Sequence, residues 1–209
     1  MQFQKVTLAA ILAFFIPLAW SQNFEITGQV GGQFNGGLDM STSFFNRIDV
    51  GNGLNYGVTL GYLFGERYGV EFQWNHNSAE TFAKSSGGPD IKVFNLTTNQ
   101  YMGNFVYHFA DRDKKLRPFV FGGLGAASLG PDVSSVPGVT RFVFGVGGGA
   151  KYNLSPHFGL RGQAKWSPTY ITTTDGGFWC DPFWGGCWLV GNDHYLHEFD
   201  ITGGITFRF

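Results

Sequence analysis

The segment from Phe199 to Phe209 alternates strictly between two kinds of side chain. Every odd position is apolar or Gly, and every even position is Asp, Thr, Gly or Arg. Such alternation is typical of a β-strand with one apolar and one polar face. A soluble protein rarely leaves such a strand at its edge, because exposed apolar edges promote aggregation. The pattern therefore favours a strand with lipid on one side and a polar interior on the other.

The N-terminal segment has the pattern of a cleavable signal peptide. Lys5 precedes an apolar run, Val6 to Ile16, that is too short to span a bilayer, and small residues flank the expected cleavage site. We expect cleavage after Ser21, which divides the chain into a signal peptide, residues 1–21, and one domain, residues 22–209.

The composition excludes several classes of function. The 209 residues include 32 Gly and 18% aromatic residues, but only 14% are charged and the net charge is −1. Nucleic-acid binding would need a basic face, so it is not expected. The Gly-rich runs, such as Gly145 to Gly149, lie inside a strand pattern, whereas a phosphate-binding loop joins a strand to a helix. The sequence thus predicts no cofactor.

Seven further runs share this strand-like pattern. In chain order the eight runs are residues 24–34, 53–64, 68–76, 95–109, 118–128, 139–154, 158–167 and 199–209. Long connections follow the first, third, fifth and seventh runs, and short ones follow the second, fourth and sixth. Membrane barrels combine short periplasmic turns with long extracellular loops in this way. The predicted fold is all-β: an eight-stranded antiparallel up-and-down transmembrane β-barrel with both termini in the periplasm.

Aromatic residues gather beside the short connections, as expected of an interfacial girdle. The predicted girdle consists of Tyr62, Phe64, Tyr68, Tyr107, Phe109, Phe119, Phe121, Tyr152, Phe158, Phe207 and Phe209. The facing of Phe119 and Phe121 is the least defined, because Val120 and Leu124 between and beyond them are also apolar.

Three segments carry a resemblance to a known family: Arg117 to Ala126, the hairpin Gly147 to Trp166, and the terminal Ile205-Thr-Phe-Arg-Phe209. With the signal peptide, they resemble the eight-stranded outer-membrane barrels of the OmpA/OmpX type. The resemblance implies an integral protein of the Gram-negative outer membrane, in contact with its lipid. It also implies that Ile205, Phe207 and Phe209 form the signal read by the barrel-assembly machinery. No peptidoglycan-binding domain is expected after Phe209.

Charged side chains are expected on the inner face of this barrel. An eight-stranded barrel is just wide enough to be filled by side chains, so such charges must pair. Glu25 should lie near Arg208, Glu71 should face Arg161, and Lys165 should lie near Asp200. The predicted network comprises Glu25, Glu71, Arg141, Lys151, Arg161, Lys165, Asp200 and Arg208. It can be a structural filling of the lumen, which we favour, or an ion path.

Cys180 and Cys187 are the two cysteines of the chain. An even count in an exported protein suggests a disulfide between them. Aromatic residues surround the pair, so the loop is expected either to bind a surface partner or to fold over the barrel mouth.

Catalytic and metal-binding arrangements have little support. His76 and Ser78 lie close together, as in some outer-membrane hydrolases, but no acidic partner is evident. His194 and His197 would point to opposite faces of a strand. We therefore predict neither a catalytic nor a metal site.

The sequence thus predicts a non-enzymatic outer-membrane protein, expected to be monomeric, with a structural or surface-interaction role carried by four extracellular loops. One alternative is a minor pore for small solutes or ions. Another is a soluble ligand-binding barrel of the lipocalin type, which would carry its apolar residues inside.

Overall fold

The computed structural model describes residues 23–39, 47–84, 91–132, 138–171 and 194–209, and these residues form ten β-strands and no helix. In chain order the strands are β1 (Phe24–Asn35), β2 (Gly37–Asp39), β3 (Arg47–Val50), β4 (Gly53–Phe64), β5 (Tyr68–Lys84), β6 (Ile91–His108), β7 (Leu116–Pro131), β8 (Val139–Asn153), β9 (Phe158–Ile171) and β10 (His194–Arg208).

The eight long strands, β1 and β4 to β10, close into a barrel. Strand β1 pairs antiparallel with β4 and with β10, and each strand from β4 to β10 pairs antiparallel with the next one in the chain. The pairing of β5 with β6 completes the ring. The predicted eight-stranded antiparallel barrel is confirmed.

Alternate side chains along each strand face opposite environments. On β10, Ile201 and Ile205 are 52% and 63% exposed on the outer surface. Asp200 and Thr202, on the inner face of the same strand, are buried. An apolar exterior around a polar interior is the arrangement of a membrane barrel. It does not fit the lipocalin-type alternative, which needs the reverse.

The structure corrects the predicted facing of Phe119 and Phe121. Both rings point into the lumen and are buried, whereas Val120 and Leu124 are 45% and 62% exposed outside. Strand β8 makes room for them because it places Gly147 opposite Phe121. A Cβ at Gly147 would lie 2.5 Å from the Phe121 ring. The girdle was therefore predicted with two residues too many.

Strand β5 continues to Lys84, well beyond its predicted end at His76, and β6 begins at Ile91, before its predicted start at Asn95, so that they have 17 and 18 residues. The alternating pattern of the sequence stops near His76, where the outer face changes from aromatic residues to Ser78 and Glu80. The inner positions Asn77 and Thr81 remain buried, so the strand itself continues. The change of outer face marks the end of the apolar belt, not the end of the strand.

The first predicted loop, residues 35–52, contains a hairpin. Strand β2 pairs with β3, and β3 pairs with the far end of β5. The Gly36 amide donates to the His197 carbonyl at 2.7 Å, which places the start of this hairpin beside β10. The hairpin continues the barrel wall above the ends of β1 and β4.

Two predictions concern residues outside the described ranges: the signal peptide, residues 1–21, and the Cys180–Cys187 disulfide. Within the described residues, no helix is long and apolar enough to cross a membrane. Nor do these residues contain a group of three or more His, Cys, Asp or Glu side chains that could hold a metal ion.

Candidate functional site in the barrel lumen

The lumen is filled by side chains from the inner face of every barrel strand. One end of the barrel, here called the short-turn end, carries the turns 65–67, 109–115 and 154–157. The opposite end carries the two longest connections between barrel strands, residues 36–52 and 172–193, and is called the long-connection end. The charged side chains between them form two separate layers.

The first layer, near the short-turn end, is centred on Glu71. The Arg161 guanidinium donates to both carboxylate oxygens of Glu71, at 2.7 and 2.8 Å. Both side chains are almost completely buried, with 2% and 3% exposure. A two-point contact of this kind fixes the orientation of both groups and is the strongest form of ion pair in proteins.

Lys151 extends this layer toward the barrel seam. Its ammonium lies 2.5 Å from Glu25 Oε2 and 3.3 Å from Glu71 Oε1. Glu25 also accepts a hydrogen bond from Arg208 Nε at 3.0 Å. Strands β1, β5, β8, β9 and β10 therefore contribute to one connected network, which we call the Glu71 layer: Glu25, Glu71, Lys151, Arg161 and Arg208.

An aromatic ring covers the cations of the Glu71 layer. The Phe119 ring lies with its centroid 4.6 Å from the Arg161 guanidinium carbon and 5.6 Å from Lys151 Nζ. Cation–π contacts of this length are attractive, and more so where water is excluded. The wall behind the ring is apolar, since Val106 and Phe121 complete a buried cluster. The cross-section is thus packed rather than open at this height.

The second layer, nearer the long-connection end, is called the Glu198 layer: Gln33, Gln100, Lys165, Glu198 and Asp200. Lys165 Nζ lies 3.0 Å from Asp200 Oδ2 and donates to Gln100 Oε1 at 2.8 Å. Glu198 accepts hydrogen bonds from Gln33 and Gln100, at 2.7 and 2.6 Å. Lys165 thus pairs with Asp200, whereas Glu198 is held by these two amides and by the Thr169 hydroxyl, which donates at 3.0 Å.

The turn at residues 109–115, which we call the strap, crosses the mouth at the short-turn end. The strap joins β6 to β7. Its Arg112 guanidinium nevertheless reaches across the mouth, where it donates to the side chain of Asn23, just before β1, and to Gly65 O at 2.8 Å. Strands β7 and β1 lie on opposite sides of the ring, four positions apart. On the near side, Asn153 Nδ2 donates to Lys114 O at 2.9 Å.

Two further contacts hold the strap against the neighbouring turn. Arg67 Nε donates to Asp111 Oδ1 at 2.8 Å. Arg117, fully buried above the strap, donates to Glu66 O at 3.2 Å and to Ala110 O at 3.5 Å. The strap is therefore tied on three sides, and the short-turn end of the lumen is covered.

The strap contact at Asp111 should be measurable by titration. The hydrogen bond and positive charge of Arg67 lower the pKa of the Asp111 carboxyl group below its usual value. A lowered folded-state pKa stabilises the folded protein at pH values above the unfolded pKa, and this contribution disappears as the pH falls through the folded pKa. Carbon-detected NMR titration should give a midpoint for Asp111 below about 3.9. Arg67→Gln should return it to the ordinary value, whereas an unchanged midpoint would contradict the contact.

Seven of the eight predicted lumen charges lie in the ion pairs described above, including the three pairs expected from the sequence. The eighth, Arg141, lies on β8 beyond the Glu198 layer, opposite Ala127 of β7. Sequence reasoning left Arg117 in a turn and gave no role to Gln33 and Gln100. Arg117 has the same parity as Phe119, so the correct facing of β7 would have identified it.

The predicted assembly signal lies at the C-terminal end of β10, with Ile205 and Phe207 in the strand and Phe209 directly after it. Ile205 is exposed, and the Phe209 ring lies 4.7 Å from Phe207 and 5.9 Å from Phe24 between centroids. Phe209 N donates to Phe24 O at 3.0 Å, which joins the start of β1 to the residue that follows β10.

The candidate hydrolase pair lies on the outer surface, beside the apolar belt. His76 Nδ1 donates to the amide oxygen of Asn99 at 2.9 Å, and its ring packs 4.9 Å from that of Tyr56. The residue bonded to His76 is thus an amide on the neighbouring strand rather than Ser78.

A closed barrel with an apolar exterior and a lumen of paired charges is a transmembrane β-barrel. A model of the outer membrane protein beta-barrel domain family matches residues 6–182, and the chain belongs to that family. The protein is thus an integral outer-membrane protein, surrounded by lipid.

Solved structures share this fold at low sequence identity. Neisserial surface protein A matches with a TM-score of 0.58 and 13% identity, over 89% of this chain and 97% of that one. OprG from Pseudomonas aeruginosa matches with a TM-score of 0.57 and 14% identity, over 88% and 96%. AlkL, whose structure was determined in lipid bilayers, matches with a TM-score of 0.55 and 15% sequence identity, over 90% of each chain. No curated protein sequence matches this chain. These similarities are similarities of fold.

Proposed function

We propose that this protein is a non-enzymatic, closed outer-membrane barrel with a structural or surface-interaction role. The observation that carries the proposal is the double obstruction of the lumen. The Glu71 layer fills the cross-section with buried ion pairs, and the strap covers the mouth below it. Without a continuous path through the barrel, activity belongs to its exposed ends.

The proposed orientation puts the short-turn end and both termini in the periplasm. The support is the general architecture of these barrels, in which short turns are periplasmic and long loops extracellular. The surface role then lies with the four long connections, including the loop that carries Cys180 and Cys187. Ile205, Phe207 and Phe209 are proposed as the signal recognised by the barrel-assembly machinery, and the barrel is proposed to act as a monomer.

A minor pore is the second candidate, and one observation favours it. Several buried polar atoms in the lumen have no hydrogen-bond partner among the described residues, including Asn55 Oδ1, Gln73 Nε2 and Asn104 Oδ1. Buried polar groups are normally satisfied, so water beside these atoms would be expected. With such water present, the Glu71 layer and the strap would be the only dry barriers along an ion path through the described part of the barrel.

Planar-bilayer recordings separate the two candidates. A closed barrel should give no single-channel steps from purified wild-type protein, under conditions where an open porin gives clear steps. A minor pore should give steps whose size changes in Arg161→Ala, because the Arg161 side chain is buried in the lumen within the Glu71 layer. Wild-type steps with that dependence would refute the closed barrel.

A further inference from the structure

A cavity of about 480 Å³ opens at the short-turn end, between the strap and the turn that joins β8 to β9. Small-molecule sites typically have volumes of roughly 300–1,000 Å³. The side chains that matter for its chemistry are Arg112, Asp113, Lys115, Asn153, Ser155 and Arg208.

The cavity carries an excess of positive charge. Among the described residues, neither Arg112 nor Lys115 forms an ion pair with a carboxylate. Arg112 Nε is buried and has no acceptor in the described structure. The acidic residue of the cavity, Asp113, is already engaged by Lys114 Nζ at 3.1 Å. The Lys115 ammonium is therefore available to an anion, and the Arg112 guanidinium, which is bonded to Asn23 and to Gly65 O, adds a fixed positive charge beside it.

The walls of the cavity are held in place by hydrogen bonds within the protein. Asn153 donates to Lys114 O at 2.9 Å, and its Oδ1 accepts from Arg208 NH2 at 3.0 Å. Across the cavity, the Ser155 hydroxyl oxygen accepts from Phe158 N at 3.0 Å. A site whose walls are already ordered loses less entropy on binding than a flexible one.

The cavity lies at the height of the membrane interface. Tyr152, Leu154 and Phe158 flank it on the outer surface, with exposures of 44%, 61% and 51%. Aromatic residues at a barrel end mark the level of the lipid headgroups. An anion that reaches the cavity from the membrane would thus be a headgroup phosphate.

We propose that Arg112 and Lys115 bind a phosphate group in this cavity, carried by a phospholipid headgroup or present as free inorganic phosphate. Lysine binds phosphate oxygens as a mobile point charge, and the positive charge of Arg112 attracts the same anion from its fixed position in the strap. The proposal is independent of whether the lumen conducts.

The first experiment uses the full mature protein in uncharged maltoside micelles, with inorganic phosphate as the probe. Backbone amide NMR signals of residues 112–115 and 153–155 should shift in a saturable manner. Lys115→Gln should weaken binding roughly tenfold, since a hydrogen bond to a charged group is lost. The matched control is Lys92→Gln, which removes a lysine paired with Glu80 at the other end of the barrel and should leave the affinity unchanged.

Lys115→Gln is the primary variant because the Lys115 side chain has no contact that holds the strap in the described structure. Arg112→Gln should weaken binding as well, but it also removes the contact to Gly65. Unchanged amide signals of residues 65–67 in the unliganded variant would separate loss of binding from loss of the strap.

The second experiment distinguishes the two phosphate sources. The protein is placed, without free phosphate, in nanodiscs of phosphatidylglycerol or of a neutral galactolipid whose headgroup contains no phosphate. Shifts of the same amides in phosphatidylglycerol that are reduced in Lys115→Gln would identify the lipid headgroup. Saturation by inorganic phosphate in micelles without a difference between the two lipids would identify the free ion. The proposal is overturned if neither probe produces saturable shifts, or if Lys115→Gln and Lys92→Gln behave alike.

Discussion

Replacing Glu71 with Met is expected to lower the free energy of unfolding by about 3–5 kcal/mol. The carboxylate is the partner of Arg161, which is buried and bonded to both of its oxygens. Removing one member of a buried pair leaves the other as an unpaired charge in a medium that solvates it poorly. Lys151 retains Glu25 at 2.5 Å, so most of the loss arises at Arg161. Urea unfolding in lipid vesicles, followed by Trp fluorescence, gives the difference.

Two matched variants test that explanation. Glu80→Met removes a carboxylate from a half-exposed pair with Lys92, and it should cost less than about 1 kcal/mol. The double variant Glu71→Met/Arg161→Met removes both charges and should recover most of the lost stability, because well-packed apolar residues often replace a buried pair without loss. Equal effects of Glu71→Met and Glu80→Met would mean that the Glu71 layer is solvated rather than buried.

Replacing Leu60 with Arg is expected to destabilise the barrel by about 2–4 kcal/mol. Leu60 faces outward and lies midway along β4 between Phe64, at the short-turn end, and Tyr56, near the opposite edge of the apolar belt. An arginine at this height would be placed in the hydrocarbon centre of the membrane. The measurement is the free energy of unfolding in vesicles.

Leu54 provides the control on the same strand and the same face. It is 64% exposed and lies opposite Ser78, beyond the aromatic residues that border the belt. Leu54→Arg should therefore cost no more than about 1 kcal/mol, the value for positions near the interface. If both substitutions cost the same, the apolar belt has been placed at the wrong height on β4.

The sequence was sufficient to predict the eight barrel strands, because the alternation of apolar and polar residues is clear where one face of a strand is apolar and the other is polar. On β10 this parity placed Asp200 and Arg208 inside correctly. On β7 it failed, since the apolar Phe119 and Phe121 lie inside and Val120 outside. Their position depends on glycines of the neighbouring strand, and no property of β7 alone reveals it.

The strap could not be predicted for a different reason. Its residues are charged and resemble an ordinary solvated turn, and Arg112 finds Asn23 at a sequence distance of 89 residues. The network of neutral amides around Glu198 was missed because Gln33 and Gln100 lie on β1 and β6, whereas the carboxylate that they share lies on β10. Contacts across the lumen depend on how the sheet curves and closes. The alternation of residues along single strands does not contain this information.

The pairing of Glu25 with Arg208 has a consequence for how the ring closes during biogenesis. The two residues lie directly opposite each other on the first and last strands. A closure displaced by one residue would turn one of these side chains toward lipid, because neighbouring positions on a strand face opposite sides. It would also deprive Lys151 of the carboxylate that it shares with Arg208. The salt bridge at the seam thus favours the observed alignment of the first and last strands over a displaced one.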